Sequence, residues 1–463
     1  MARRAIIACA ALAVLLVPSA KIADFTSGTF NGRSRSVSGG GAVPIPVRSR
    51  PRRDLALSPI RCTRFVSTFG SDTNDGSSSA PFGTISHAEA AARPGDVVCV
   101  RGGTYREDVR LTRSGAKASL ITVAGAPGES AIIDGTNLPI GPTDALLGIA
   151  GGTDYVTVRD LTIRNSPGRG VVNGGSHNRV VHTRIFHTRN AGLLTTNLSA
   201  AATDNEYVGN DISDAVYGND CHVSSDSCTN PGGWESAVNV YDEGTAPAGH
   251  NLYESNRIHD NDGEGMIVMD GDVVRSNTLY DNFSVEIYLD RRQHVVIERN
   301  LLYESETKYV PIGGNQSYRL LAEGVSFADE FAPARTSHNI IRDNMIINVR
   351  TGIHFWNAIG GSGLLDDLVE NNTIVNSWDY GISFDASTST AGTVLRNNLV
   401  VPRQGSPTRG VIDVSGIALM ANLFVSPGDF RDPHVPGEGT FSFDPNGYKL
   451  PSSASYAIDK GVA

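Results

Sequence analysis

The amino-acid sequence predicts an all-β protein, a right-handed parallel β-helix solenoid with an N-terminal capping helix. Three observations support this prediction: an Asn-centred repeat of about 21–28 residues, apolar residues that alternate within each repeat, and an Ala-rich segment before the first repeat. Self-similarity at this period is typical of solenoids, in which each repeat packs against its neighbours. The prediction assigns residues 61–463 to this one domain.

The repeat consists of an Asn, a variable residue and an aliphatic residue. Its Asn residues are Asn210, Asn256, Asn277, Asn300, Asn344, Asn372, Asn398 and Asn422. Two intervals, of 46 and 44 residues, are about twice the others and predict insertions at 211–235 and 303–337. Apolar alternation such as Ile353 and Phe355 indicates strands. We therefore expect the Asn side chains to lie at turns and to stack from coil to coil.

The N-terminus has the features of an export signal. Arg3 and Arg4 precede an apolar run from Ile6 to Val17, which predicts a signal peptide over 1–23. Residues 24–60 are rich in Ser, Gly, Arg and Pro without periodicity, which predicts a disordered linker. We expect a secreted monomer, extracellular or periplasmic, without membrane contact once the signal is removed.

Cysteine usage and net charge agree with export. Apart from Cys9 in the signal, the spacing favours the disulfides Cys62–Cys99 and Cys221–Cys228, with a metal site as the alternative. The alternative fits no zinc spacing. The formal net charge of −10 disfavours binding to nucleic acid, whose phosphates attract basic proteins.

The segment before the repeats carries a family resemblance. It reads Pro81-Phe82-Gly83-Thr84-Ile85, then Ala88 and Ala90 to Ala92, then Pro94-Gly95 and Gly102-Gly103-Thr104-Tyr105. This order of strand, Ala-rich helix, turn and first coil resembles the opening of secreted β-helix carbohydrate-active enzymes. Those enzymes include pectate lyases of the family-nine type, alginate-lyase and chondroitinase-B-like proteins, and β-helical xylosidases. The resemblance implies an extended polysaccharide as substrate.

Aligned coils place acidic residues in two columns. Asp270, Asp290, Asp329 and Asn357 fall in one column at the end of a strand, with Asp242 one position off. Glu235, Glu264 and Glu323 fall in a second column before that strand. Neighbouring coils lie about 4.8 Å apart. Carboxylates at such a short distance repel one another unless a cation or a shared proton lies between them. We therefore predict calcium ligands at Asp242, Asp270, Asp290 and Asp329, the alternative being solvated turn residues.

The face between the two columns carries candidate substrate-binding residues. If Ile353 and Phe355 point inward, His354 and Trp356 point outward, together with Ser326, Ser383 and Asp385. The predicted substrate-binding residues are Trp356, Trp234, Glu235, Glu323 and Arg292.

A lyase is the favoured enzyme class. Residues 261–265, Asn-Asp-Gly-Glu-Gly, resemble in part the acidic calcium turn of family-nine pectate lyases. The catalytic Lys of that family has no counterpart here, so Arg291, Arg292 or His354 would have to replace it.

Three alternatives stay open. A glycoside hydrolase would use Glu264 with Asp290, or Glu235 with Glu264, as paired carboxyls. A mannuronan C5-epimerase is implied by residues 217–222, Tyr-Gly-Asn-Asp-Cys-His, whose Tyr217 and His222 would carry the proton transfers. A non-catalytic glycan-binding adhesin is the third alternative.

Overall fold

The computed structural model describes residues 60–219, 235–305, 309–312, 316–319, 322–357, 359, 363–385, 390–403, 418–420 and 422–424. The predicted signal peptide, nearly all of the predicted linker, the Cys221–Cys228 pair, His222 and Trp234 lie outside these residues. Among the described residues, no helix is long and apolar enough to cross a membrane.

The described residues form one short helix and 39 strands. The helix α1 spans Ile85–Ala90. The strands are β1 Arg64–Val66, β2 Val97–Val100, β3 Gly103–Tyr105, β4 Val109–Leu111, β5 Ile121–Gly125, β6 Ala131–Asp134, β7 Ala145–Ile149, β8 Val156–Arg159, β9 Thr162–Ser166, β10 Arg169–Asn173, β11 Arg179–Val181, β12 Arg184–Thr188, β13 Leu193–Thr196, β14 Ala202–Thr203, β15 Glu206–Val208, β16 Asp211–Ala215, β17 Ser236–Tyr241, β18 Ala248–Gly249, β19 Leu252–Glu254, β20 Arg257–His259, β21 Glu264–Ile267, β22 Val273–Arg275, β23 Thr278–Tyr280, β24 Val285–Asp290, β25 Val296–Glu298, β26 Leu301–Tyr303, β27 Tyr309–Ile312, β28 Gln316–Arg319, β29 Glu323–Ala328, β30 Ile340–Arg342, β31 Met345–Ile347, β32 Thr351–Trp356, β33 Leu368–Glu370, β34 Thr373–Ser377, β35 Tyr380–Phe384, β36 Val394–Arg396, β37 Leu399–Pro402, β38 Ala418–Met420 and β39 Leu423–Phe424.

Three long parallel sheets contain most of these strands. The thirteen-stranded sheet runs β1-β2-β5-β8-β11-β15-β19-β22-β25-β30-β33-β36-β38, and the twelve-stranded sheet runs β3-β6-β9-β12-β16-β20-β23-β26-β31-β34-β37-β39. The ten-stranded sheet runs β4-β7-β10-β13-β17-β21-β24-β29-β32-β35. Successive strands such as β8, β9 and β10 enter the three sheets in turn, so one coil adds one strand to each. This architecture confirms the predicted right-handed parallel β-helix.

The Asn repeat forms a continuous side-chain ladder inside the solenoid. Each buried Asn donates its side-chain N–H to the side-chain oxygen of the next Asn, at 2.9–3.0 Å, from Asn210 through to Asn422. Asn210 bonds directly to Asn256, and Asn300 bonds directly to Asn344. The 46- and 44-residue intervals are therefore single coils with insertions, as predicted.

A left-handed residue turns the chain immediately before most rungs of the ladder. Ser255, Ser276, Arg299, Asp343, Asn371 and Asn397 have φ values of 54–57° and each precedes a ladder Asn. The side-chain oxygen of the following Asn then accepts two hydrogen bonds from the Asn of the preceding coil. The Asn277 oxygen, for example, accepts the backbone N–H of Asn256 at 2.8 Å and its side-chain N–H at 2.9 Å. The repeat is therefore a turn signal that satisfies buried polar groups.

The N-terminal end carries the predicted helix and the predicted disulfide. Helix α1 begins after Thr84, whose side chain accepts a hydrogen bond from the His87 backbone N–H, and it buries Ile85 and Ala88 beside the first strands. The helix ends at Ala90, earlier than the Ala-rich run suggests. Cys62 and Cys99 form a disulfide, as predicted.

Candidate functional site

The register of the ten-stranded sheet corrects both predicted columns of acidic residues. Asp290 pairs with Ala328, which pairs with Trp356, so Asp329 and Asn357 lie one position beyond the Asp290 row. Ser236 pairs with Glu264, so Glu235 lies one position before the Glu264 row. Because successive residues on a strand point to opposite faces, Asp290 and Glu235 do not belong to the columns assigned to them.

The alignment error has a physical reason. Most coils have a glycine near the start of the strand, because a Cβ there would lie 2.5 Å from the next coil's backbone oxygen, as at Gly324. Met266 pairs with Ile287, so Gly265 is matched by Glu286 rather than by Val285. Val238 pairs with Met266, so Ala237 takes the same place in its coil. Among the coils aligned by their acidic residues, the two that lack the glycine are the two that were misaligned.

The four predicted calcium ligands bind different partners and do not converge on one point. Asp242 forms an ion pair with Arg292, and Asp270 pairs with Arg335 and accepts the Gln293 backbone N–H.

Asp329 is buried and accepts hydrogen bonds from the Thr336 hydroxyl and from the backbone N–H groups of Arg335 and Thr336 at 2.9–3.2 Å. In the described part of the chain, no three His, Cys, Asp or Glu side chains converge on a possible metal position. The four residues therefore do not fit calcium, which needs several oxygen ligands around one point.

Three of these carboxylates hold one loop, residues 329–336, here called the anchored loop. Asp329 closes its two ends, and Asp270 binds its Arg335. Asp290 accepts the Glu330 backbone N–H at 3.0 Å. Three of the four acidic residues that the sequence predicted as a metal site therefore act as the base of a loop beside the ten-stranded sheet.

Asp290, Tyr288 and Glu330 form a cluster on the outer face of the ten-stranded sheet. The Tyr288 hydroxyl donates to the Glu330 carboxylate at 2.7 Å. Burial, followed by the nearby Glu330 and Glu264 carboxylates, raises the pKa of Tyr288 well above its usual value. Burial and Glu330 raise the pKa of Asp290 to about 6, against the opposing effect of its hydrogen bond from Glu330 and of Arg292 and Arg291. Asp290 therefore changes protonation state close to neutral pH.

A second cluster holds His354 between two carboxylates. Its Nδ1 lies 2.9 Å from Glu323, and its Nε2 lies 3.3 Å from Asp385. Burial opposes the imidazolium, but hydrogen bonds with Asp385 and Glu323 raise the pKa of His354 to about 9. The pKa of Asp385 is lowered by its hydrogen bond with His354. His354 is therefore a fixed cation near neutral pH and a poor general base.

The two clusters lie on the same face, with one coil, that of β29, between Tyr288 and His354. Tyr288 pairs with Ser326, and Ser326 pairs with His354. Trp356 packs beside a small apolar cluster that contains Tyr288 and Ala328. The structure thus brings together Asp290, His354, Trp356 and Glu323 of the predicted site.

Other predicted site residues have structural contacts. Glu235 is buried and forms an ion pair with Arg169, and it also accepts the Tyr241 hydroxyl at 3.3 Å. Glu264 accepts the Ser236 hydroxyl at 2.9 Å. Arg292 is buried against Asp242.

Tyr217 contacts the twelve-stranded sheet. Its ring stacks on His187 at 4.6 Å, and its hydroxyl donates to the Ser166 backbone oxygen at 3.4 Å. Both partners belong to strands of that sheet, so the described contacts of Tyr217 are not with the Asp290 cluster.

The sequence interpretation missed Tyr288 and Glu330. Tyr288 has the outward position of the alternation within β24, two residues before Asp290, so its strand position was a usable signal. Glu330 follows its strand, and only the fold of the anchored loop brings it to Tyr288.

A buried carboxyl pair was also missed. Glu286 and Glu304 are buried side by side, and burial raises the pKa of Glu286 to about 8. Burial and Glu286 raise the pKa of Glu304 well above its usual value. Asn282 donates its side-chain N–H to Glu286 at 2.6 Å, so this pair belongs to the interior.

Two family models match consecutive parts of the solenoid. Residues 64–232 match the Pel9A-like right-handed β-helix region, and residues 235–398 match the right-handed β-helix region. Both descriptions agree with the observed three-sheet architecture.

Curated relatives match over short segments. A pectate lyase, PEL9, of Emericella nidulans is 38% identical over 82 residues, 17% of this chain and 20% of that protein. The uncharacterised YwoF of Bacillus subtilis is 36% identical over 74 residues, 16% of each chain. The matched segments thus span a fifth or less of these relatives.

Among solved structures, the pectate lyase Pel9A is similar with a TM-score of 0.49 at 17% identity, covering 84% of this chain and 90% of that one. Together with the family models and the Emericella segment, the observed coils identify the chain as a pectate-lyase-like protein with a right-handed parallel β-helix fold.

Proposed function

We propose that the protein is an exported enzyme that cleaves a uronate-containing polysaccharide by β-elimination on the outer face of the ten-stranded sheet. The observation that carries this proposal is Asp290, a partly buried carboxyl whose pKa is raised to about 6 and which shares its contact with Glu330 with the hydroxyl of Tyr288. The 82-residue similarity to a pectate lyase supports the same reaction class.

The chemistry follows from three requirements of β-elimination. A base removes the proton α to the uronate carboxylate, an acid protonates the leaving oxygen, and positive charge stabilises the carboxylate. Asp290 is mainly ionised above pH 6 and is the proposed base. Tyr288 keeps its proton and is the proposed acid. Partly exposed Arg291 supplies the positive charge.

The proposed step balances without an added reactant. The electrons of the broken C–H bond form the carbon–carbon double bond. The bond from the ring carbon to the leaving oxygen breaks, and that oxygen takes the Tyr288 proton. The product has an unsaturated uronate at its new non-reducing end.

Hydrolysis is a second candidate, favoured by the two carboxyls at the site. Below pH 6 Asp290 keeps its proton and could act as general acid, with the exposed Glu330 as the second carboxyl. The two reactions differ in the form of Asp290 that is active, so their rates change in opposite directions as pH rises through 6.

The test is a product assay on polygalacturonate, alginate and xylan, each with calcium and with a chelator. Elimination predicts products that absorb in the ultraviolet, and hydrolysis predicts reducing ends without that absorbance. Loss of the absorbance with the chelator would show that elimination needs a divalent cation, held by residues other than the four predicted ligands. Absence of both products on all three glycans, with a folded protein, would contradict the proposal.

A further inference from the structure

The anchored loop is held to the solenoid at several points. The Thr336 hydroxyl donates to Asp329 at 2.9 Å and to the Ala328 backbone oxygen at 3.1 Å. Arg335 pairs with Asp270, and the Arg291 guanidinium donates to the Pro333 backbone oxygen at 3.1 Å. A loop tied by side chains from two neighbouring coils keeps its conformation, so it loses little entropy when a ligand binds.

This loop presents one large apolar side chain to solvent. Phe331 is 54% exposed, and the Arg291 guanidinium lies 5.1 Å from its ring centroid. The cation covers part of the ring and fixes its orientation, while much of the side chain stays open. Exposed apolar residues scattered singly need no explanation, but Phe331 combines exposure, a fixed orientation and a place in the site.

Phe331 lies next to the proposed chemistry. It follows Glu330, whose side chain accepts the Tyr288 hydroxyl and whose backbone N–H binds Asp290. A sugar that contacts Phe331 is therefore bound to the element that also contacts both proposed catalytic groups.

We propose that Phe331 is a sugar-binding platform on which one pyranose ring of the polysaccharide packs with its apolar C–H face. The electron-rich face of the phenyl ring attracts the partly positive C–H groups, and contact removes apolar surface of both from water. Arg291 supports the ring from its other side. This subsite rests on the proposed function, because it assigns a binding role beside the proposed catalytic residues.

The experiment is affinity electrophoresis through native gels that contain polygalacturonate, alginate or xylan. The variants are Phe331→Ala, which removes the ring, and Phe331→Tyr, which keeps it. Phe69→Ala is the matched control, because Phe69 is 97% exposed and lies before the first coil. Phe331 is at the surface, so these variants are expected to fold, which circular dichroism checks.

We expect one glycan to retard the wild-type protein, Phe69→Ala and Phe331→Tyr. For Phe331→Ala the apparent dissociation constant should rise about tenfold, as for loss of one aromatic contact. Where the glycan is cleaved, KM should rise by a similar factor with little change in kcat.

The outcomes separate this platform from the proposed function. Cleavage by the wild type with unchanged binding by Phe331→Ala would overturn the platform alone. Retardation that depends on Phe331, without cleavage of any glycan, would overturn the proposed function alone. Absence of retardation of the wild type in every gel would overturn the platform.

Discussion

Two faces of the solenoid have the same in-register geometry but use their charges differently. On the thirteen-stranded sheet, one row alternates in sign from coil to coil and is here called the paired-charge ladder. Its members are Glu254, Arg275, Glu298, Arg342, Glu370 and Arg396. On the ten-stranded sheet, the rows around Asp290 do not alternate, and carboxyls lie beside tyrosine, serine and tryptophan.

The charged residues of the thirteen-stranded sheet hold neighbouring coils together, whereas those around Asp290 on the ten-stranded sheet include groups that can react. In the paired-charge ladder, Arg275 contacts Glu254 at 3.0 Å and Arg396 contacts Glu370 at 2.7 Å. On the ten-stranded sheet, Asp290 has no such partner in register, since it pairs with Ala328, and burial raises its pKa to about 6. The shifted carboxyls Glu286 and Asp367 are buried in the interior, whereas Asp290 is partly exposed beside other polar groups, and a shifted pKa in such a place marks a candidate functional site.

Replacing Asp290 with Asn gives the largest expected effect on the reactive face. The variant loses the titrating group but keeps the carbonyl that accepts the Glu330 backbone N–H. We expect kcat to fall by about 10²–10⁴, the usual contribution of a general acid or base. The unfolding midpoint in urea should stay close to that of the wild type. Nearly full activity of the folded variant would remove Asp290 from the mechanism.

Breaking the paired-charge ladder gives the opposite result. Arg275→Ala leaves the buried Glu254 without its 3.0 Å partner, so the free energy of unfolding should fall by about 3 kcal/mol. Activity per folded molecule should be unchanged. The control is the double variant Glu254→Leu with Arg275→Met, which should recover much of the loss. A loss of activity that exceeds the loss of folded protein would contradict the structural role.

His354→Gln tests the fixed cation on the reactive face. The folded-state pKa of His354, about 9, lies above the ordinary value of about 6.5 in an unfolded chain. Its contribution to stability is therefore complete below pH 6.5 and is lost as pH rises through 9. We expect the variant to be less stable by about 2 kcal/mol at pH 6, as for charged hydrogen bonds, and the difference to shrink by pH 10. Urea titrations at both pH values measure this, and a constant difference would show that His354 is neutral.

Asp367→Asn tests a buried carboxyl that lies directly before β33 of the thirteen-stranded sheet. Asp367 accepts the Asn339 backbone N–H at 2.7 Å, and burial raises its pKa to about 7. The folded protein keeps this proton between pH 4 and pH 7 while the unfolded chain loses it, so the wild type loses stability over that window. The variant should be more stable by about 1 kcal/mol at pH 7.5 and equal at pH 4. Asn339→Asp should have the reverse pH dependence, and equal curves for wild type and Asp367→Asn would contradict the assignment.

The fold could be predicted because its signals are local. The Asn before each strand of the twelve-stranded sheet from β16 to β39 acts within one coil, and so do the left-handed residue before most of these Asn residues and the alternation around Ile353 and Phe355. The insertions also left a local signal, since a doubled interval between Asn residues can be measured in the sequence.

The site was less predictable because it depends on register between coils. A shift of one residue moves a side chain to the other face, and the glycine that marks the register is replaced by Ala237 and Glu286 in the two coils concerned. Asp290 and Glu235 were therefore placed in the wrong rows. Glu330 and Phe331 carry no periodic signal, since they reach the site through a loop held by Asp270 and Asp329.

The most direct test of the central assignment is the pH dependence of kcat/KM for the glycan that the protein cleaves. We predict that kcat/KM rises through an apparent pKa of about 6 as Asp290 loses its proton, and that Asp290→Asn lacks this rise. A wild-type profile that is flat between pH 5 and pH 7, or a rise that persists in Asp290→Asn, would contradict the account.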